Sequence, residues 1–233
     1  MSNMKIQPNS KCNGRSRSVP LGRYAKGDSV RSKSALPTKR DRILKAALEC
    51  FGRYGFKRTA MDDIAKIAGI SRAALYLLFQ NKEDIFRTLC EHLHGNALVR
   101  AQTALQSEIG FRDRLNAAFE GKDLELFELV CDSPHGSELI DLSNAIAADI
   151  FLSSSKRFEE LLTEAIRQAD ERGEIELSCG SFQPSNFANL LIGCTRGLKK
   201  SSSSVAEYRQ QLRHLILIFD LALTASTNNA SSV

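Results

Sequence analysis

A chain of 233 residues with 42% hydrophobic content, no Trp and only five Pro is long enough for one fair-sized domain or two small ones sharing a core, and leans towards helix rather than sandwich or barrel. No stretch reaches the roughly 18 uninterrupted apolar residues of a membrane span; the longest, LILIFDLAL from Leu215, carries Asp220 at its middle and reads as a buried helix, so no membrane partner is expected. The net charge of +5 is unevenly placed, because residues 1–40 hold ten Lys/Arg against the single acid Asp28 while the rest of the chain sums to −4.

The N-terminal segment, residues 1–37, has basic, Ser/Gly/Pro-rich composition and almost no apolar periodicity, which predicts a disordered leader attracted to polyanions. Its scattered Lys5, Lys11, Arg15 and Arg17 lack the apolar core of a secretory signal, so the cytoplasm, and there the nucleoid, is the expected location. The six cysteines (Cys12, Cys50, Cys90, Cys131, Cys179, Cys194) form no CxxC pair and read as free thiols, mostly buried, of a reducing compartment.

After Pro37 the pattern changes. Ile43, Leu44, Ala47, Leu48, Phe51 and Tyr54 recur at spacings of three and four, one face of a helix that Gly55 ends. Thr59 is positioned to cap a second, short helix carrying Ile64, Ala65 and Ala68, with Asp62 favouring its positive end. Gly69 then turns the chain in a left-handed conformation, and Ser71 caps a third helix predicted from Arg72 to Phe79. Ile64, Ala68, Ile70, Leu75 and Leu78 would lock the pair together. This is a helix-turn-helix pattern, and it leaves Arg72, Ala73, Tyr76, Leu77 and Gln80 on the face that enters a DNA major groove. Asn81 caps the next helix, whose first N–H groups and Lys82 can grip a phosphate.

The stretch TKRDRILKAALECFGRYGFKRTAMDDIAKIAGISRAALYLLFQNKEDIFRTLC, residues 38 to about 90, closely resembles the N-terminal domain of the TetR family of bacterial transcriptional regulators. The resemblance implies an all-α protein: a three-helix DNA-binding domain over residues 38–90, a helical effector-binding and dimerisation domain over 91–225, and a flexible tail at 226–233. It further implies a homodimer bound to double-stranded, palindromic operator DNA, mostly as a repressor, and released by a small ligand. By position, Arg72 and Ala73 would stand at base edges, Tyr76 and Lys82 at phosphates, and Thr59 at its helix start and a phosphate. Leu77 and Ala74 depart from the polar or aromatic residues usual there; Leu77 is either a core residue or an apolar contact to a thymine methyl.

Beyond residue 95 the resemblance is one of organisation only. Phe111, Leu115 and Phe119 share a helix face, a loop is expected at 133–136, and a long helix is predicted over about Asp149–Arg172 with Gly173 as its stop. Two further helices, from Pro184 and from Glu207, supply the expected dimer surface. Leu190, Gly193 and Gly197 lie on the first and Leu212, Leu215 and Phe219 on the second, whose alternative apolar stripe is Leu217, Ile218 and Leu221. The apolar composition suggests a small hydrophobic or amphipathic effector. No cofactor or metal is expected: Cys90 and His94 in CEHLH share a helix face, yet Cys90 continues an apolar stripe. An enzyme is disfavoured, since no nucleophile elbow, P-loop or GxGxxG is found. The alternatives are a helical enzyme or an interaction protein without specific DNA binding.

Overall fold

The computed structural model describes residues 38–177 and 183–224, so the leader, Cys179 and the tail lie outside the described residues. Nine helices and no strand occur among the described residues. They divide into two compact units, one comprising the chain up to Glu91 together with Asp132–Ala147, the other His92–Cys131 and Ala148 onward.

The first unit begins with α1 (Lys39–Tyr54). Thr38 caps it reciprocally: its hydroxyl oxygen accepts from the Asp41 N–H at 3.1 Å while Asp41 accepts from the Thr38 N–H at 2.9 Å. Most of its apolar face is buried, with Ile43, Ala47, Cys50 and Phe51 inaccessible or nearly so, while Leu48 is partly buried and Tyr54 is exposed. Gly55 closes the helix at φ +82°, and a side chain there would also collide with Glu138. Next come α2 (Met61–Ala68) and α3 (Arg72–Tyr76), then the start of α4 (Lys82–Leu105), a single helix whose residues belong to both units. The rings of Phe51, Phe56 and Phe86 meet at centroid distances of 5.2 to 5.8 Å and anchor the interior.

A helix with no counterpart in the sequence reading, α6 (Gly136–Ile146), also packs in this first unit rather than with the stretch 91–225 around it. Ser133 donates to the Gly52 carbonyl at 3.0 Å, the Lys57 N–H donates to Glu138 Oε1 at 2.9 Å, and Arg87 donates to the Ile146 carbonyl. Those polar clasps explain why periodicity missed it: only Gly136 of the helix is fully buried.

The second unit holds the rest of α4, α5 (Phe111–Cys131), α7 (Ala148–Glu171), α8 (Pro184–Ser201) and α9 (Val205–Thr224). Phe111, Leu115 and Phe119 are buried as their spacing predicts, and Phe158, Leu162, Ile166 and Ala169 form the buried stripe of α7, which Gly173 ends at φ +70°. Asp123 is buried here but satisfied, accepting from the Tyr208 hydroxyl and from Lys199, each at 2.8 Å. Burial beside that carboxylate raises the Tyr208 phenol far above its ordinary range. α8 runs to Ser201, and Ser204 accepts from the Glu207 N–H at 3.2 Å in the first turn of α9, which begins at Val205 rather than Glu207. No helix among the described residues is long and apolar enough to cross a membrane.

Candidate nucleic-acid interface

The turn of α2 into α3 follows from Gly69, which sits at φ +66°, ψ +38° and lets the Ile70 N–H return to the Ala65 carbonyl at 3.1 Å. Ser71 then caps α3, accepting from the Ala74 N–H at 3.1 Å. The recognition helix is shorter than its sequence predicts. It ends at Tyr76 because the Leu78 N–H bonds to Leu75 in a tightened last turn, which drops Phe79 into the core and leaves Leu78 at the surface. Leu78 is therefore not a locking residue; Phe79, 1% exposed, takes that place beside Leu75.

Buried Leu75 and Phe79 turn the opposite side outward. Arg72, Ala73, Tyr76, Leu77 and Gln80 are all exposed, and at 86% exposure Leu77 is no core residue. Arg72 extends across this face, paired with Asp62 at 2.9 Å and with its guanidinium carbon 5.5 Å from the Tyr76 ring centre. A pair so exposed contributes no more than about 1 kcal/mol, so the guanidinium is readily handed to another acceptor.

The structure removes one expected DNA contact and constrains a second. Thr59 does not cap α2: Ala60 occupies the cap position, with its N–H bonded to Asp63 at 2.9 Å. The Thr59 hydroxyl is buried and donates inward, to the Gly55 carbonyl at 2.7 Å and towards that of Cys50 at 3.3 Å, so it presents nothing to a phosphate. Lys82 is likewise engaged inside the fold. Its ammonium donates to the carbonyls of Phe56 at 2.6 Å and Thr59 at 2.8 Å and lies 4.4 Å from the Phe56 ring centre. One of its three N–H groups remains for a phosphate. Replacing Lys82 by Met should destabilise the chain by about 2–3 kcal/mol in urea unfolding, since charge-assisted bonds to two carbonyls are lost. Tyr76→Ala should leave the unfolding midpoint where it was. Asn81 does cap α4, accepting from the Asp84 N–H at 2.8 Å.

With this geometry in place, the comparison with known proteins can be read: residues 43–89 match the domain described as "Bacterial regulatory proteins, tetR family". The helix-turn-helix segment is therefore similar to the DNA-binding domain of that family. Among its curated relatives, this chain is 38% identical over 145 residues to the transcriptional regulator TtgR of Pseudomonas putida, covering 62% of this chain and 59% of that one. It is 32% identical over 76 residues to the uncharacterised regulator YhgD of Bacillus subtilis, covering 33% and 40%. In both cases the match spans less than two thirds of the relative's length. The fold is shared with a solved structure from Mesorhizobium loti assigned to the TetR regulators, at TM-score 0.62 and 20% identity over 79% of this chain and 95% of that one.

The residues expected at the dimer surface divide between the core and the exterior. Leu212 is fully buried in its own core, and Leu215 and Phe219 are half-buried, the Phe219 ring lying edge-on to Phe187 at 5.0 Å. The outward stripe of α9 is the alternative one: Leu217, Ile218 at 64% and Leu221 at 58% exposure. On α8, Leu190, Gly193 and Gly197 are exposed, and an added Cβ at either glycine would meet none of the chain's described atoms within 4 Å.

Proposed function

We propose that the protein is a dimeric, ligand-responsive transcriptional repressor that reads a palindromic operator. The observation that carries this reading is the recognition face: a helix fixed from beneath by Leu75 and Phe79 that turns Arg72, Ala73, Tyr76 and Leu77 outward together. Arg72 offers a bidentate donor for guanine, Leu77 an apolar contact for a thymine methyl, and Tyr76 a hydroxyl for the backbone. Two copies related by a two-fold axis would read two half-sites about one helical turn apart or a multiple of it. The second copy docks on the exposed small-residue strip of α8 and the Leu217, Ile218, Leu221 stripe of α9. A small hydrophobic or amphipathic effector, held in the second unit, biases the protein towards a form that does not fit the operator; a coupling of about 1–3 kcal/mol is typical.

Footprinting on DNA upstream of the protein's own gene tests the reading. Two symmetric protected half-sites are expected; protection of one asymmetric half-site, or binding indifferent to sequence, would overturn it. Linkage supplies a second check, because operator DNA must weaken effector affinity by the factor by which effector weakens operator affinity.

The leader adds affinity without selectivity. Each phosphate that its bases neutralise should steepen the log–log salt dependence by roughly 0.9. Removing residues 1–36 should flatten that slope and lower affinity while base preference survives. An unchanged slope would leave the leader without a role on DNA.

A further inference from the structure

Inside the second unit, polar groups of three helices gather along one face of α7. Phe151, Ser154 and Phe158 share that face at spacings of three and four, a span of about 10 Å. Ser154 is 5% exposed, and its hydroxyl has no hydrogen-bond partner among the described residues. Against Phe158 lies Lys122 of α5, 6% exposed, its ammonium 6.0 Å from the ring centre. Near the outer end His94 of α4 stands 6.0 Å from the Phe151 ring, and its Nδ1 is buried and unpaired among the described residues. Phe151 itself is 39% exposed, so the row reaches the surface there.

Charge in this row is unbalanced. The nearby carboxylate, Asp123, is already committed to Lys199 and Tyr208. Lys122, Lys199 and Arg196 thus surround one anion. Burial lowers Lys122 to about 8 from its ordinary 10.5, which still leaves it largely charged at neutral pH. Burial, with the nearby lysines, lowers His94 to about 4, so its imidazole is neutral. A charged lysine so largely buried weakens a fold unless its charge is compensated, and Lys122 has a reason to be there if something else completes it.

We propose that this row is the effector site and that the effector is an amphipathic organic anion. Its carboxylate accepts from Lys122 and from the Ser154 hydroxyl. Its apolar remainder lies along Phe119 and Phe158 and reaches His94 and Phe151 at the surface end. The inference rests on the ligand-responsive reading above and narrows it to one chemical class and one set of residues.

The test uses the full-length protein and three probes of one chain length: decanoate, decanol and decyltrimethylammonium, measured by calorimetry and by thermal shift. Decanoate should bind at least about tenfold more tightly than decanol, as a charge-assisted bond to Lys122 implies, and the cation should not bind. Lys122→Met should erase that preference and, because it removes a charge from a largely buried side chain, raise the melting temperature of the ligand-free protein. Ser154→Ala should weaken decanoate while leaving decanol unchanged. Equal affinities for decanoate and decanol, a preference that survives Lys122→Met, or no binding of decanoate would overturn the proposal. A gel shift separates it from the wider reading: operator released by decanol or the cation but not by decanoate leaves the regulator standing and this site refuted. If wild-type protein binds no operator while decanoate binding follows Lys122, the site stands and the regulator falls.

Discussion

Ile218→Glu combined with Leu221→Glu should give a folded monomer that no longer protects both half-sites of its operator. Both side chains project from α9 with more than half their surface exposed, so neither supports the core of its own chain. In a two-fold dimer each change is made twice, removing four apolar side chains from the interface. At about 1.5 kcal/mol for each, dimerisation loses about 6 kcal/mol, roughly four orders of magnitude in the dissociation constant. Like charges brought together across the axis add to this loss. Analytical ultracentrifugation should show the monomer, with the helical circular dichroism of the wild type retained. Leu212→Glu is the contrasting case: it places a charge where the residue is fully buried, and should lose helicity and stability together. If the double variant still sediments as a dimer, the interface lies elsewhere.

How the sequence and the structure diverge on α9 shows what periodicity can and cannot resolve. Every third or fourth residue from Leu212 to Leu223 is apolar, and so is a second series offset by one or two positions. The pattern predicts two buried faces. It contains nothing that says which face meets the chain's own core, because that depends on distant partners such as Phe187 against Phe219. The DNA-binding turn is legible for the opposite reason, since its geometry is local: Gly69 in the left-handed region, Ser71 bonded three residues on, Asn81 bonded three residues on. Thr59 misleads because a threonine before an acidic turn can equally bond inward, and here the Gly55 and Cys50 carbonyls claim its hydroxyl. The row at His94, Lys122 and Ser154 escapes sequence reading altogether. Each residue is unremarkable at its own position, and only packing shows that they gather there, with His94 Nδ1 and the Ser154 hydroxyl left unpaired among the described residues. One signal was available: a lysine beside an aspartate at 122–123, within a helix whose flanking turns hold Phe119 and Phe127.

Arg72→Ala should produce the largest loss of selectivity of any single change on the recognition face, about 1–3 kcal/mol for each half-site if its guanidinium reads a guanine. With both half-sites affected the operator is weakened by about 30-fold to 10,000-fold, and discrimination at one base position in each half-site is lost. Arg72→Lys should rescue little of it, because an ammonium can neutralise charge but cannot form the paired donors that recognise one base edge. Asp62 makes the result interpretable. In the free protein it holds Arg72 at 2.9 Å, so on binding DNA it must release the guanidinium while its own negative charge stays near phosphates. Asp62→Asn should therefore tighten binding to operator and non-operator DNA alike, with the gain concentrated at low salt where exposed charges are least screened. Competition titrations against operators altered at single positions separate the two effects. If Arg72→Ala weakens every sequence equally, Arg72 contacts phosphate and base reading falls to Leu77 and its neighbours.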